Sequence, residues 1–320
     1  MYIFVLLFCS LYLYMLDKGK VKYNVLSLFP CFMIYYLVPS LQYEVGTDYH
    51  SYINIYNTPH LLDRFYTSYE YIFYYTVKLF NYLNLPEQSL FAFFSLIQSI
   101  PLFIYLSKLK LNSNVTGWLF FLVFISTTGI YNNQMSGIRQ YAALILFPLI
   151  TYYVFNKRYL LSNALIISAI LLHQTALIFI IVYPLIFLFK KLNVKYFVIF
   201  SCTIPVYYFG ADIILFLVKF LGLKYVSYFS SDYAAPQDIL SLFTRLYYLP
   251  LIFLFFMNYK QDFKEKSYLS FCIFLFCIFY FSFIMSFQFG LFFRISSYFW
   301  FFLIFPIYSV IKTYINRGEY

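Results

Sequence analysis

Apolar runs of helix-spanning length recur along the whole chain, separated only by short stretches that carry lysine and arginine, and this pattern limits the fold more than any other feature. A bilayer core of about 30 Å takes roughly 20 apolar residues per helical crossing. In lipid only helices or closed barrels satisfy every backbone group. Of the 320 residues 63% are hydrophobic and 11% charged, with 44 Phe and 38 Tyr, which is more apolar surface than a water-soluble core encloses. The expected fold is all-α, a single polytopic transmembrane domain over residues 1–320. Met1–Leu16 lacks a basic leader and a small-residue cleavage site and is followed by lysines, so it reads as a retained helix.

Basic clusters fall at Lys18/Lys20/Lys22, Lys108/Lys110, Lys157/Arg158, Lys190/Lys191/Lys195, Lys260/Lys264/Lys266 and Lys312/Arg317. The positive-inside rule places all six on the cytoplasmic side, so each of the five intervals between them holds an even number of crossings. Four intervals divide into pairs: Val115–Tyr131 with Tyr141–Phe155, two within Tyr159–Phe189, Tyr196–Phe209 with Leu242–Met257, and Tyr268–Ser286 with Ile295–Ile311. Between Lys22 and Lys108 there are three candidates, of which the middle one carries Glu70 and Lys78. A charge at a helix centre costs about 2.5–3.5 kcal/mol on insertion, so Tyr66–Leu83 is predicted to lie in the outer interface as an amphipathic helix. Five pairs plus Met1–Leu16 give eleven crossings, with the N-terminus outside and the C-terminus inside. Tyr159–Phe189 is about 46 Å long as a straight helix, too long for one upright span, and is predicted to be a shallow hairpin with its tip at His173-Gln174-Thr175.

The net charge of +10 is spread over these loops rather than gathered into a stripe, which excludes nucleic acid as a partner. Cys9, Cys31, Cys202, Cys272 and Cys277 lie in apolar stretches without zinc-ligand spacing and read as packing residues.

This topology gives the outer face the first large loop (residues 42–88), the link Asn132–Gln140, the His173 tip, a second loop (residues 210–241) and the link Gln288–Arg294. Eight of the twelve acidic residues fall there: Glu44, Asp48, Asp63, Glu70, Glu87, Asp212, Asp232 and Asp238. The inner face has loop lysines and no buried charge. Asp48, in Gly46-Thr47-Asp48-Tyr49-His50-Ser51-Tyr52, either caps a helix or presents a carboxylate to a cavity, and a capping Asp can do both. Arg139 and Arg294 each stand alone at the outer start of an apolar helix, either snorkelling to headgroups or offering a planar fork to phosphate oxygens. His173, a histidine inside an apolar stretch, is either a satisfied buried group or a proton acceptor. Arg245 begins an inward span and allows the same two readings as the other arginines. Tyr49 and Tyr52 are candidates for stacking on sugar rings.

In order and spacing, Gly46-Thr47-Asp48-Tyr49-His50-Ser51-Tyr52, Glu70, Gly137-Ile138-Arg139 with Ala142, His173-Gln174-Thr175, and Arg294 with Tyr298 resemble the EpsG-type, Wzy-like polysaccharide polymerases of bacterial capsule, exopolysaccharide and O-antigen pathways. The resemblance runs from about Gly46 to Tyr298. It implies a GT-C-like membrane fold with juxtamembrane helices in the first outer loop, sited in the bacterial inner (plasma) membrane with its active site facing the periplasm or outside. It implies as substrate a glycan linked to undecaprenyl pyrophosphate, transferred to another lipid-linked repeat unit, with membrane lipids around the chain and a flippase and a chain-length regulator as partners. In such a reaction Asp48 or His173 activates the acceptor hydroxyl and Glu70 orients a sugar or an arginine. Arg139 and Arg294 stabilise the departing pyrophosphate, with Gln140, Arg245, Tyr49 and Tyr52 as further substrate contacts. No cofactor and no metal is expected, since the chain has no Asp-x-Asp pair. The second outer loop, 210–241, lacks the arginines of O-antigen ligases. A flippase of lipid-linked oligosaccharide and a membrane glycan acyltransferase are the competing readings.

Overall fold

The computed structural model describes residues 1–113, 115–191, 195–220, 246–258, 267–288 and 291–318, the side chains of 211, 214, 215, 217–220, 291, 294 and 317 excepted. Every element among the described residues is helical. Each stretch that hydropathy marks as a crossing is mostly helical over its described part, with breaks such as those at Gly129 and His173. Among the described residues five helices are long and apolar enough to cross a membrane: Gln88–Ser113, Ile138–Phe155, Gln174–Lys191, Tyr268–Met285 and Ile295–Asn316. Shorter apolar helices occupy Val25–Ser40, Gly117–Thr128, Tyr159–Leu172, Tyr196–Gly210 and Leu249–Asn258. The chain divides into two compact units, Met1–Ile186 and Phe187–Tyr320.

In the first unit α1 (Tyr2–Lys18) and α2 (Val25–Ser40) are followed by three short helices, α3 (Tyr49–Asn57), α4 (Asp63–Thr67) and α5 (Tyr71–Tyr82). Next come α6 (Gln88–Ser113), α7 (Gly117–Thr128), α8 (Ile130–Asn133), α9 (Ile138–Leu144), α10 (Phe147–Phe155) and α11 (Tyr159–Leu172). A 3₁₀ helix, Gln174–Ile181, leads into α12 (Val182–Lys191). Helix α2 packs antiparallel to α6: the Gln88 amide donates to the Ser40 carbonyl (2.6 Å) at one end, and the Ser107 hydroxyl to the Tyr23 carbonyl (2.9 Å) at the other. Helix α1 packs on α7 and α2, and Cys9 and Cys31 each donate a thiol bond to the other's carbonyl (3.6 and 3.7 Å). Four of the cysteines are buried, as packing residues should be, whereas Cys202 is exposed.

Helix α5 is 12 residues long, about 18 Å, and two-faced. It buries Phe73, Tyr74, Thr76 and Val77 and exposes Lys78. The residues predicted as one interfacial helix are thus two, α4 and α5, divided at Ser68–Glu70. The hairpin reading of Tyr159–Phe189 agrees with the geometry: the Tyr183 hydroxyl lies 2.9 Å from the Ser162 hydroxyl and 2.5 Å from the Asn163 amide oxygen. In a straight helix residues 21 apart would be about 31 Å apart. The chain reverses at His173, whose extended backbone (φ −156°, ψ 118°) ends α11.

In the last turn of α6, about 33 Å along the helix from Gln88, Asp17 accepts from Lys110 (2.6 Å), the Tyr23 hydroxyl (3.0 Å) and the Trp118 backbone N–H (3.2 Å). A side chain at position 117 would collide with the Tyr23 ring, so Gly117 permits this approach. The expectation that this end holds no buried charge is corrected. Asp17 is nearly buried and joins α1, α6 and α7, and it is stable there because an ammonium, a hydroxyl and a helix N-terminus all donate to it.

In the second unit Tyr268–Met285 packs against Tyr196–Ser201, Thr203–Phe220 and Leu291–Phe299, while Leu249–Asn258 packs on Ile304–Arg317. Aromatic contacts fill it: Phe200 lies 4.7 Å from Tyr280, and Trp300 lies 4.6 Å from Phe283 and 5.5 Å from Tyr248.

Candidate active site

The site is built where residues 42–88 meet the Asn132–Gln140 link. Gly46 has φ +93°, and a Cβ there would sit 2.5 Å from the Met135 carbonyl oxygen, so only glycine lets the backbone lie this close. The Thr47 N–H then donates to the Ser136 hydroxyl (3.3 Å) and the Gln42 amide to the Met135 carbonyl (3.1 Å). From inside the bundle, the Gln98 amide on α6 donates to the Ile138 carbonyl (2.9 Å), and the Tyr35 hydroxyl on α2 to the Gln134 side-chain oxygen (2.9 Å). Tyr35, Gln98 and Gln134 are all buried. These bonds fix the start of α9, the helix that carries Arg139.

Arg139 points into an aromatic enclosure. Its guanidinium carbon lies 4.3 Å from the Phe65 ring centre, 4.9 Å from Phe73 and 5.7 Å from Tyr52, one ring from each of α4, α5 and α3. Ring faces attract a cation, more so when it is desolvated. Its Nη1 donates to Oε2 of Glu70, the residue that precedes α5. The other carboxylate oxygen, Oε1, lies 2.6 Å from Nδ1 of His173 and 3.4 Å from the Gln174 backbone N–H at the hairpin tip. Glu70 is 4% exposed. Burial pushes its carboxyl up, but the His173 hydrogen bond and the charge of Arg139 outweigh burial and hold it below its ordinary value of 4.5. An ionised Glu70 only accepts, so Nδ1 of His173 carries the proton it donates. In the neutral ring Nε2 is therefore the basic nitrogen, and it has no hydrogen-bond partner among the described residues. Chemically, the arrangement is a carboxylate-oriented imidazole able to take a proton.

The structure thus brings Glu70, Arg139 and His173 together and sets other predicted residues apart. Asp48 stands at the N-cap position of α3 but makes no capping bond; among the described residues its exposed carboxylate accepts only a 3.4 Å bond from the Thr47 hydroxyl. Tyr49 and Tyr52 are buried, at 6% and 4% exposure, so the expectation that they offer open faces to sugars is corrected. Tyr49 is stacked on Phe91 (4.9 Å, 12°), and Tyr52 turns its ring to Arg139. Both rings gain more from burial than an interfacial position would give. Gln140 is half-buried beside Arg139. Arg245 and the side chain of Arg294 lie outside the described residues. Tyr35, Gln98 and Gln134 were missed by sequence reasoning, although a glutamine inside an apolar span such as Ser95-Leu96-Ile97-Gln98-Ser99 is itself a signal, because leaving it unpaired there is costly. Among the described residues no three His, Cys, Asp or Glu side chains converge as a metal site requires.

Apolar helices around a buried Glu70 paired with the partly buried Arg139 and His173 define a helical membrane protein with a polar cluster. The EpsG family model matches residues 24–319, and the chain belongs to that family, the Wzy-like polysaccharide polymerases. No curated protein and no solved structure matches it.

Proposed function

We propose that the chain is a glycosyltransferase that polymerises lipid-linked oligosaccharide repeat units at the outer face of the bacterial plasma membrane, crossing it eleven times. The observation that carries this reading is the Glu70–His173 pair, held by Arg139, in a chain of the EpsG family. Nε2 of His173 takes the proton of the acceptor sugar hydroxyl as that oxygen bonds to the anomeric carbon of the donor glycan. The bond from that carbon to the undecaprenyl pyrophosphate oxygen breaks, and the pyrophosphate leaves with the bonding electrons. Glu70 keeps the imidazole in the reactive tautomer and stabilises the imidazolium. Pairing with Glu70 makes Arg139 a positioning residue rather than an open phosphate fork. Its Nε–H, buried and without a partner among the described residues, is a donor that a substrate oxygen would complete. Arg294 and Arg245 are the proposed contacts for the departing pyrophosphate, with Asp48 binding acceptor hydroxyls at the rim and Gln140 reaching the substrate beside Arg139.

An oriented imidazole would also serve acyl transfer to a glycan, the second reading that this geometry favours. Both are tested by deleting the gene, restoring it with wild type or His173→Ala, and resolving the surface glycan by gel. A polymerase gives single repeat units in place of a ladder with both the deletion and His173→Ala. An intact ladder that has lost only its acyl groups overturns the proposal in favour of the acyltransferase. For a flippase, lipid-linked units would vanish from the outer face.

A further inference from the structure

The turn that delivers Glu70 to the site also builds a surface of tyrosine rings outside it. Helix α4 ends at Thr67 with Ser68 as its cap. The Tyr69 N–H then bonds to the Tyr66 carbonyl (3.2 Å) and the Glu70 N–H to the Phe65 carbonyl (2.9 Å). This is the paired 6→1 and 5→2 closure whose left-handed position is ordinarily glycine. Here Tyr69 fills it at φ +63°, a conformation unfavourable for an L side chain. Lys20, Asn84 and Lys157 occupy the same position at three other helix ends, so Tyr69 is distinct in being aromatic.

Its ring lies 6.0 Å from Tyr71, edge to face, and Tyr71 lies 5.2 Å from Tyr66 and 6.3 Å from Tyr75. Tyr74 closes the group, 5.1 Å from both Tyr66 and Tyr75. Tyr66, Tyr69 and Tyr75 remain 47%, 58% and 55% exposed. The patch combines ring faces with hydroxyls, carries one cation at its margin, the Lys78 ammonium 4.4 Å from the Tyr74 ring centre, and is continuous in the chain with Glu70, which Tyr69 and Tyr71 flank. Rings that brace one another in fixed orientations present a rigid surface rather than independent headgroup anchors. A sugar ring has an apolar C–H face and a rim of hydroxyls, and such a surface matches both.

We infer that Tyr66, Tyr69, Tyr71 and Tyr75 form a platform that binds the sugar rings of the glycan chain next to Glu70. The inference rests on the polymerase reading for its ligand. The position of Tyr69 supplies a fold-sparing test, because Tyr69→Gly removes the ring and relaxes the backbone. The full-length protein in lipid nanodiscs is titrated with lipid-free oligosaccharides released from the host's own surface polysaccharide, comparing wild type, Tyr69→Gly, Tyr75→Ala and Tyr69→Phe. Tyr69→Gly and Tyr75→Ala should each weaken binding about tenfold or more, as loss of an aromatic anchor does, and shift the ladder to shorter chains; Tyr69→Phe should retain most of both. Unchanged affinity and chain length in Tyr69→Gly and Tyr75→Ala overturn the platform. Reduced membrane yield with unchanged binding also overturns it and assigns the rings to the lipid headgroups. His173→Ala run in parallel separates the two proposals: a wild-type ladder there removes the polymerase reading, while the titration still judges the platform.

Discussion

Glu70 is the residue on which the cluster turns, since one buried carboxylate serves both a guanidinium and an imidazole. Glu70→Gln keeps the size but removes the charge, leaving Arg139 buried without its counter-ion. Breaking such a pair costs about 3–5 kcal/mol, and losing the tautomer control of a general base costs about 10²–10⁴ in rate. The expected outcome is a lower thermal midpoint in detergent together with loss of the glycan ladder. The acid response follows from the same group. Because the folded state holds the Glu70 carboxyl below 4.5, its stabilisation is complete above that value and is lost as pH falls through the lowered one. Thermal unfolding measured from neutral pH downwards should show wild type losing stability on this acid limb and Glu70→Gln losing less. An equally steep limb in Glu70→Gln would exclude Glu70 as its source.

At the scale of elements, the Gly46 contact sets how α3 and the Arg139 link register. Gly46→Ala places a methyl against the Met135 carbonyl and strains a positive φ, a cost of about 1–3 kcal/mol. It should insert normally yet lose activity and become protease-sensitive between residues 42 and 48; undiminished chain length would show that the loop need not dock. Glu70, Arg139 and His173 were legible in the sequence because a charged or imidazole group in or beside an apolar run is costly unless used or paired. Their mutual pairing was only partly legible: the order of the motifs allowed Glu70 to orient an arginine, but nothing in the spacing links 70 to 173. Tyr49 and Tyr52 misled because tyrosine suits a wet interface and a buried ring equally well. The clusters Lys18/Lys20/Lys22 and Lys108/Lys110 were both assigned to the inner side by loop charge, yet parity arguments carry no information about which loops touch, so the Asp17–Lys110 pair was not legible.

For the whole molecule the question is which end of the first unit faces out. The Glu70 cluster draws on the first outer loop, the Asn132–Gln140 link and the His173 tip, and the Asp17 cluster joins Lys18–Tyr23 to Lys110 and Trp118. Segments assigned to one side by counting crossings are thus gathered at one end, and those assigned to the other side at the other. Had α5 crossed the membrane, Arg139 and Glu70 would be separated by the bilayer instead of paired. The side is an expectation from the lysines, which favour the cytoplasm. Arg64 and Lys78, both exposed on α4 and α5, are the informative positions because they are basic and yet placed outside. In a background with Cys202, the exposed native thiol, replaced by serine, Arg64→Cys and Lys78→Cys should react with a membrane-impermeant thiol reagent in intact cells. A cysteine replacing Lys20 or Lys108 should react only after permeabilisation. Labelling of position 78 from the cytoplasm alone would invert the first unit and place the Glu70–His173 pair on the side where the lipid-linked repeat is assembled rather than polymerised.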